Sequence, residues 1–311
     1  MNKLAKRMAA FLAAGALSCT AMVSAFAQEF VDMPQNWTTT ALENAVKNGL
    51  LVGDGDHILP DDNITRAEMA AIIVRAFGAE KTADISMYTD VEQDQWYYEE
   101  LSKAVAMGAF HGDGDKMNPR DNITFQECFT VLAQIFYLEY YGADTAILTE
   151  KFTDGAEVAD WAKEYTAMVV GSGYWDGIEG KLLPTTYITR SQFAVLMDNF
   201  IKTYVDEPGE YTSFEPGNVM VRTPDVSIKD VTTESDIILG EGCLDSEITF
   251  ENVTCHTVLI RGGKDVSLGG QFDWIILKNP EGTAYIGGAA LLNPPVGCKG
   301  AMFDFGVLET E

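Results

Sequence analysis

Arg66 and Arg190 stand where a helix disfavours a cation. Thr65-Arg66-Ala67-Glu68 and Thr189-Arg190-Ser191-Gln192 each read as a helix start, with threonine at the N-cap and a side chain at N3 that reaches back to it. Thr124-Phe125-Gln126-Glu127 has the same frame with phenylalanine at N1. A cation at N1 faces the positive end of the helix macrodipole, which costs about 0.3 to 1 kcal/mol. Either the guanidinium snorkels to solvent, or it joins free N-terminal amides to hold a carboxylate or phosphate. In a chain of 311 residues with 47 acidic and 21 basic side chains, net −26, such a site is the obvious anion trap.

The same charge excludes nucleic acid and anionic membranes as partners, because no basic stripe exists to release counterions. His57, His111 and His256 are scattered and the five cysteines form no CxxC pair, so neither a metal centre nor a cofactor is expected. A calcium loop starting at Asp54 fails where it matters, with Leu59 in the place of the invariant glycine and Thr65 in that of the bidentate glutamate.

The helix starts belong to a threefold repeat. Phe30-Val31-Asp32, Tyr88-Thr89-Asp90 and Phe152-Thr153-Asp154 each precede a tryptophan, Trp37, Trp96 or Trp161. Counting from that tryptophan, glycine recurs at +12 (Gly49, Gly108, Gly173) and +16 (Gly53, Gly112, Gly177), proline at +23 (Pro60, Pro119, Pro184), and Ile-Thr begins at +27. Each unit reads as helix, loop, helix. The first helix stops at the +12 glycine, and the second carries an apolar stripe such as Met69, Ile72, Ile73, Ala76 and Phe77. Cys128 falls on the same stripe and reads as a buried thiol. The sequons at Asn36, Asn63, Asn122 and Asn252 read as by-products of repeated turns and caps.

This pattern, ending in Ile-Thr-Arg-Ala-Glu, resembles three consecutive S-layer homology motifs over about residues 29 to 205. The resemblance implies a pseudo-threefold, all-helical spindle whose grooves bind the secondary polymer attached to Gram-positive peptidoglycan, often through an acidic pyruvyl-ketal sugar. Arg66 and Arg190 match the ligand-contacting arginine of the family. With them Thr65 and Thr189, Trp37, Trp96 and Trp161, and Asp32, Asp90 and Asp154 are expected in the polymer-binding surface. The tryptophans would stack on sugars or, equally, anchor the first helices in the core. Phe125 departs from the pattern and removes the charged contact from one groove.

The chain changes character after Tyr204. Asp206-Glu207-Pro208-Gly209-Glu210 reads as a charged linker, and short apolar runs follow, among them Val219-Met220-Val221, Ile237-Ile238-Leu239 and Val258-Leu259-Ile260. They suit a short parallel β-helix or a small sandwich, and the segment weakly resembles the β-solenoid-like stretches found beside S-layer homology motifs. Cys243 and Cys255 either bridge neighbouring strands or stay free. At the other end Lys3, Lys6 and Arg7, an apolar run from Met8 to Met22 and Ala25-Phe26-Ala27 read as an export signal cleaved before Gln28. Cys19 lacks a lipoprotein context.

The expected fold class is therefore multidomain α + β. It comprises a signal peptide (1–27), three helical units (28–80, 81–145, 146–205), a linker (206–217) and a β domain (218–311). The expected function is non-catalytic: secreted, held on an anionic secondary cell wall polymer, displaying the β domain. The alternatives are a wall-anchored carbohydrate-active enzyme and a self-associating subunit of a surface lattice. No membrane contact is expected after signal cleavage.

Overall fold

The computed structural model describes residues 30–138, 142–278, 283–286, 289–290 and 300–303. The expected export signal, with Cys19, and Cys298 lie outside them.

The repeat folds as its spacing predicts. The first unit holds α1 (Thr39–Lys47) and α2 (Arg66–Phe77), the second α3 (Tyr98–Ala106) and α4 (Phe125–Ile135), the third α6 (Lys163–Gly171) and α7 (Arg190–Phe200). A short helix, α5 (Ala146–Lys151), fills the longer join before the third unit. Capping boxes form at Thr65/Glu68, Thr124/Glu127 and Thr189/Gln192. The +16 glycine has a tertiary cause: a β-carbon at Gly53, Gly112 or Gly177 would collide with the ring of Phe30, Tyr88 or Phe152, the aromatic residue that opens the same unit.

None of the units is self-sufficient. Their helices pair across unit boundaries, α1 on α7, α2 on α3 and α4 on α6. On the pseudo-threefold axis three fully buried isoleucines close a ring of backbone hydrogen bonds. The Ile64 amide donates to Ile188 O at 3.0 Å, Ile188 to Ile123 O at 3.1 Å and Ile123 to Ile64 O at 3.1 Å. Removing one unit would orphan an amide and a carbonyl in a water-free core, which explains why the repeats come as a closed three.

The last third is a parallel β-solenoid, the first of the two expected architectures. One ladder stacks β1 (Thr203–Val205), β3 (Val219–Val221), β5 (Ile237–Leu239) and the C-terminal halves of β6 (Glu247–Ile260) and β7 (Asp265–Leu277), followed by β10 (Gly300–Phe303). A second ladder stacks β2 (Gly209–Tyr211), β4 (Val226–Lys229), the N-terminal halves of β6 and β7, and β8 (Thr283–Ile286). A last short strand, β9 (Ala289–Ala290), pairs antiparallel with β8.

One sequence expectation is corrected here and one open alternative is decided. The segment 206–217 is not a free linker: β2 lies inside it, β1 precedes it, and Asp206 is ion-paired to Arg222, so the first solenoid turn already runs through it. Of the two alternatives for Cys243 and Cys255, the structure shows the one without a disulfide. Both thiols are buried, as is that of Cys128, and burial pushes the Cys243 thiol up to about 12. Iodoacetamide should therefore leave all three unmodified in the folded protein and alkylate them after denaturation without reductant; labelling that requires reductant would contradict this.

The solenoid is docked on the helices. In the first ladder, alternate side chains such as Val219, Val221, Ile237, Leu239, Val258 and Ile260 fill the solenoid interior. The residues between them, Met220, Ile238, Leu259 and Ile276, belong to the helical core. Strands buried on both faces must be apolar throughout, which is why these runs show no polar alternation. The second ladder does alternate, Val226-Ser227-Ile228-Lys229 being buried only at the apolar positions.

Three solenoid side chains cap helix C-termini at this seam. Arg222 donates to Asn48 O at 2.7 Å and Arg75 O at 2.8 Å, at the ends of α1 and α2. Arg261 donates to Met107 O at 2.6 Å and Ile135 O at 3.2 Å, at the ends of α3 and α4, while its Nε holds Glu241 Oε1 at 2.8 Å. Asn218 donates to Phe200 O, the end of α7, at 3.0 Å. Cations at helix C-termini complement the macrodipole.

Candidate functional site

Each groove of the spindle lies between the second helix of one unit and the loop of the next. The first two backbone amides of each second helix are already taken by that loop. Arg66 N donates to Asp121 O at 2.9 Å and Ala67 N to Pro119 O at 3.0 Å, while Arg190 N donates to Asp62 O at 2.9 Å and Ser191 N to Pro60 O at 3.0 Å. The free amides expected from sequence do not exist, and the +23 proline marks the turn that consumes them. Anion binding here rests on side chains alone.

The N1 side chain then decides the character of each groove. Arg190, between units three and one, is 8% exposed. Its Nε donates to Ile58 O at 2.9 Å, Nη2 to Val52 O at 2.9 Å and Nη1 to Glu68 Oε1 at 3.0 Å. Every nitrogen of its guanidinium serves the protein, and the dipole penalty at N1 is offset without any ligand. Arg190→Ala should lower the unfolding free energy by about 2 to 3 kcal/mol, and lysine should not restore it because one ammonium cannot span three acceptors. Equilibrium denaturation reads the difference; a loss under about 0.5 kcal/mol, the level of an ordinary surface substitution, would contradict the assignment.

Arg66, between units one and two, repeats only part of this arrangement. Its Nε donates to Met117 O at 2.9 Å and its guanidinium lies over the Phe110 ring, 5.7 Å from the centroid. Nη2 reaches His111 O only at 3.5 Å, and Nη1 has no hydrogen-bond partner among the described residues. It faces an open groove of about 710 Å³ that is also lined by His111, Asp113, Arg120, Glu127 and Tyr187.

Between units two and three, Phe125 replaces the arginine. Its ring is fully buried, 5.2 Å from Trp175 and 5.9 Å from Phe129. Trp175 stands at +14, where the other units have Leu51 and Phe110, and this apolar residue lies under the N1 side chain in the grooves of Arg66 and Phe125.

The other predicted residues divide by exposure. Trp37, Trp96 and Trp161 are 58%, 59% and 55% exposed, so they lie on the surface and do not anchor the first helices in the core. Asp32 accepts from the amides of Ile58 at 2.7 Å and Leu59 at 2.8 Å, Asp90 from Met117 and Asn118, and Asp154 from Leu182 and Leu183. These carboxylates clamp their own loops at residues with left-handed backbone, Leu59, Asn118 and Leu183. Desolvation raises the Asp32 carboxyl, but its backbone hydrogen bonds together bring it below the usual range. Thr65 and Thr189 are spent on their capping boxes.

The S-layer homology domain model matches residues 29–70, 88–127 and 151–194. The chain is an S-layer homology domain protein with three consecutive motifs. It is 30% identical over 260 residues to the surface-layer 125 kDa protein of Lysinibacillus sphaericus, a match covering 80% of this chain and 21% of that protein. It is 23% identical over 258 residues to the S-layer protein sap of Bacillus anthracis, 81% of this chain and 30% of that one. Similarity to the exoglucanase XynX of Acetivibrio thermocellus is 26% over 170 residues, 54% of this chain and 16% of the enzyme. The chain thus spans less than a third of these relatives' length. The likeness to the enzyme has about the extent of the three motifs, whereas the surface-layer matches must continue into the solenoid. The S-layer homology motifs and the surface-layer relatives put the protein at the bacterial cell surface. Among the described residues no helix is long and apolar enough to cross a membrane.

Proposed function

We propose that the three-motif spindle anchors this protein non-covalently to the cell wall by holding an anionic secondary cell wall polymer in the groove between units one and two. The observation that carries this reading is the contrast between Arg66, with Nη1 unpartnered among the described residues over an open groove, and Arg190, whose guanidinium is consumed by Ile58, Val52 and Glu68. Phe125 leaves the N1 position of the remaining groove without a cation. A pyruvyl-ketal carboxylate suits a single guanidinium fork, and the exposed tryptophans supply faces for sugar rings.

Binding of the protein to purified wall sacculi, before and after extraction of the polymer, tests the partner. Arg66→Ala tests the site: affinity should fall by about 1.5 to 3 kcal/mol with the thermal midpoint unchanged. Retained affinity in that variant would reject the groove, and undiminished binding to extracted sacculi would reject the polymer. The long match to surface-layer proteins favours a lattice-subunit role beside anchoring; particle size measured at rising concentration reads it directly.

A further inference from the structure

The three units are equivalent in fold but not at their rims, and their departures converge on one groove. At +24 the units carry Asp61, Arg120 and Thr185, and at +26 Asn63, Asn122 and Tyr187. Arg120, the cation in the first series, and Tyr187, the aromatic ring in the second, both line the groove of Arg66. They arrive from different directions. Arg120 belongs to the loop of unit two, where its Nη2 donates to Gln95 Oε1 at 2.8 Å and its guanidinium lies 6.0 Å from the Tyr97 ring centroid. Tyr187 belongs to unit three and enters through the backbone bridge that pairs it with Thr124. Tyr187 is 49% exposed, a large ring left on the surface beside a groove lined mainly by polar side chains.

We propose that Arg120 and Tyr187 are affinity-determining residues of this groove, so that one polymer site is assembled from all three units. Arg66 of unit one forms the half-buried floor, Arg120 of unit two a second cation at the rim, and Tyr187 of unit three an aromatic wall for a sugar face. The proposal rests on the reading of the Arg66 groove as the polymer site. Its chemistry is a division of labour. Two guanidinium groups on one groove take an anionic substituent from two sides, and Asp113, Asp121 and Glu127 accept hydrogen bonds from ring hydroxyls, while a phenol ring supplies apolar contact that water does not compete for. The third unit then contributes to binding as well as to closure of the fold.

The test returns each rim residue to the type that another unit carries at the same place. Arg120→Asp copies unit one and Tyr187→Asn copies units one and two; both positions are exposed, so the thermal midpoint should not move. Affinity of the full chain for polymer-bearing sacculi should fall about tenfold in each variant, the size of one charge-assisted or aromatic contact. Arg66→Ala is measured alongside. Rim variants that bind within about twofold of the parent, with Arg66→Ala impaired, overturn the three-unit site and leave the Arg66 groove standing. If Arg66→Ala also binds normally, the groove itself is wrong and the proposal falls with it. A rim variant whose midpoint drops in step with its affinity would overturn the proposal too, by making that residue structural.

Discussion

Replacing Arg261 by alanine should lower the unfolding free energy by about 3 to 5 kcal/mol, the size expected when one partner of a buried ion pair is removed. The Arg261 side chain is 6% exposed and its Glu241 partner 16%. One substitution would take away the hydrogen bonds to Met107 O and Ile135 O and leave the Glu241 carboxylate without its ion-pair partner, where its Oε2 already lacks a hydrogen bond among the described residues. The Arg261 guanidinium also lies 5.3 Å from the Phe77 ring centroid, a contact that alanine cannot make. Urea denaturation followed by tryptophan fluorescence measures the loss. Because the seam shares one core with the helices, the variant should still unfold in a single transition at lower denaturant. Two separated transitions would mean that the solenoid stands on its own and that the shared core contributes little.

Phe125→Ala is the second large effect, about 3 to 5 kcal/mol for a fully buried ring. The cavity would open against Trp175 and Phe129, in a cluster that cannot collapse easily because both neighbours are held by their own helix and loop. Wall binding by the fraction that remains folded should stay within about twofold of the parent, since the Phe125 ring is fully buried and offers no surface to a ligand. A loss of affinity larger than the loss of stability would show that this groove binds after all. The direction is opposite to that expected for Arg66→Ala, which should lower affinity and spare the fold.

Much of this protein was legible in its sequence because repeats convert local chemistry into a spacing that can be counted. The capping boxes, the +12 glycines, the apolar stripe through Met69 and Phe77 and the three-unit count depend on residues within a single turn or helix, and the structure reproduces them. The role of Arg190 was not legible. The local argument, a cation opposed to the N1 dipole, correctly found that something must compensate, but the compensating groups are Val52 and Ile58 carbonyls and the Glu68 carboxylate, more than a hundred residues away in sequence. Arg66 occupies the same position in the same motif and differs only in what the neighbouring unit offers it. The docked solenoid was half legible. Its apolar triplets, set against the alternating Val226-Ser227-Ile228-Lys229, signal strands covered on both faces, yet a triplet does not say what covers it. Sequence alone determined the units, their caps and their number, because those follow from backbone hydrogen bonding and helical periodicity. Tertiary structure alone decided which arginine is left facing solvent and that the β domain shares the helical core, because both depend on which carbonyls and apolar faces closure of the ring brings within contact distance.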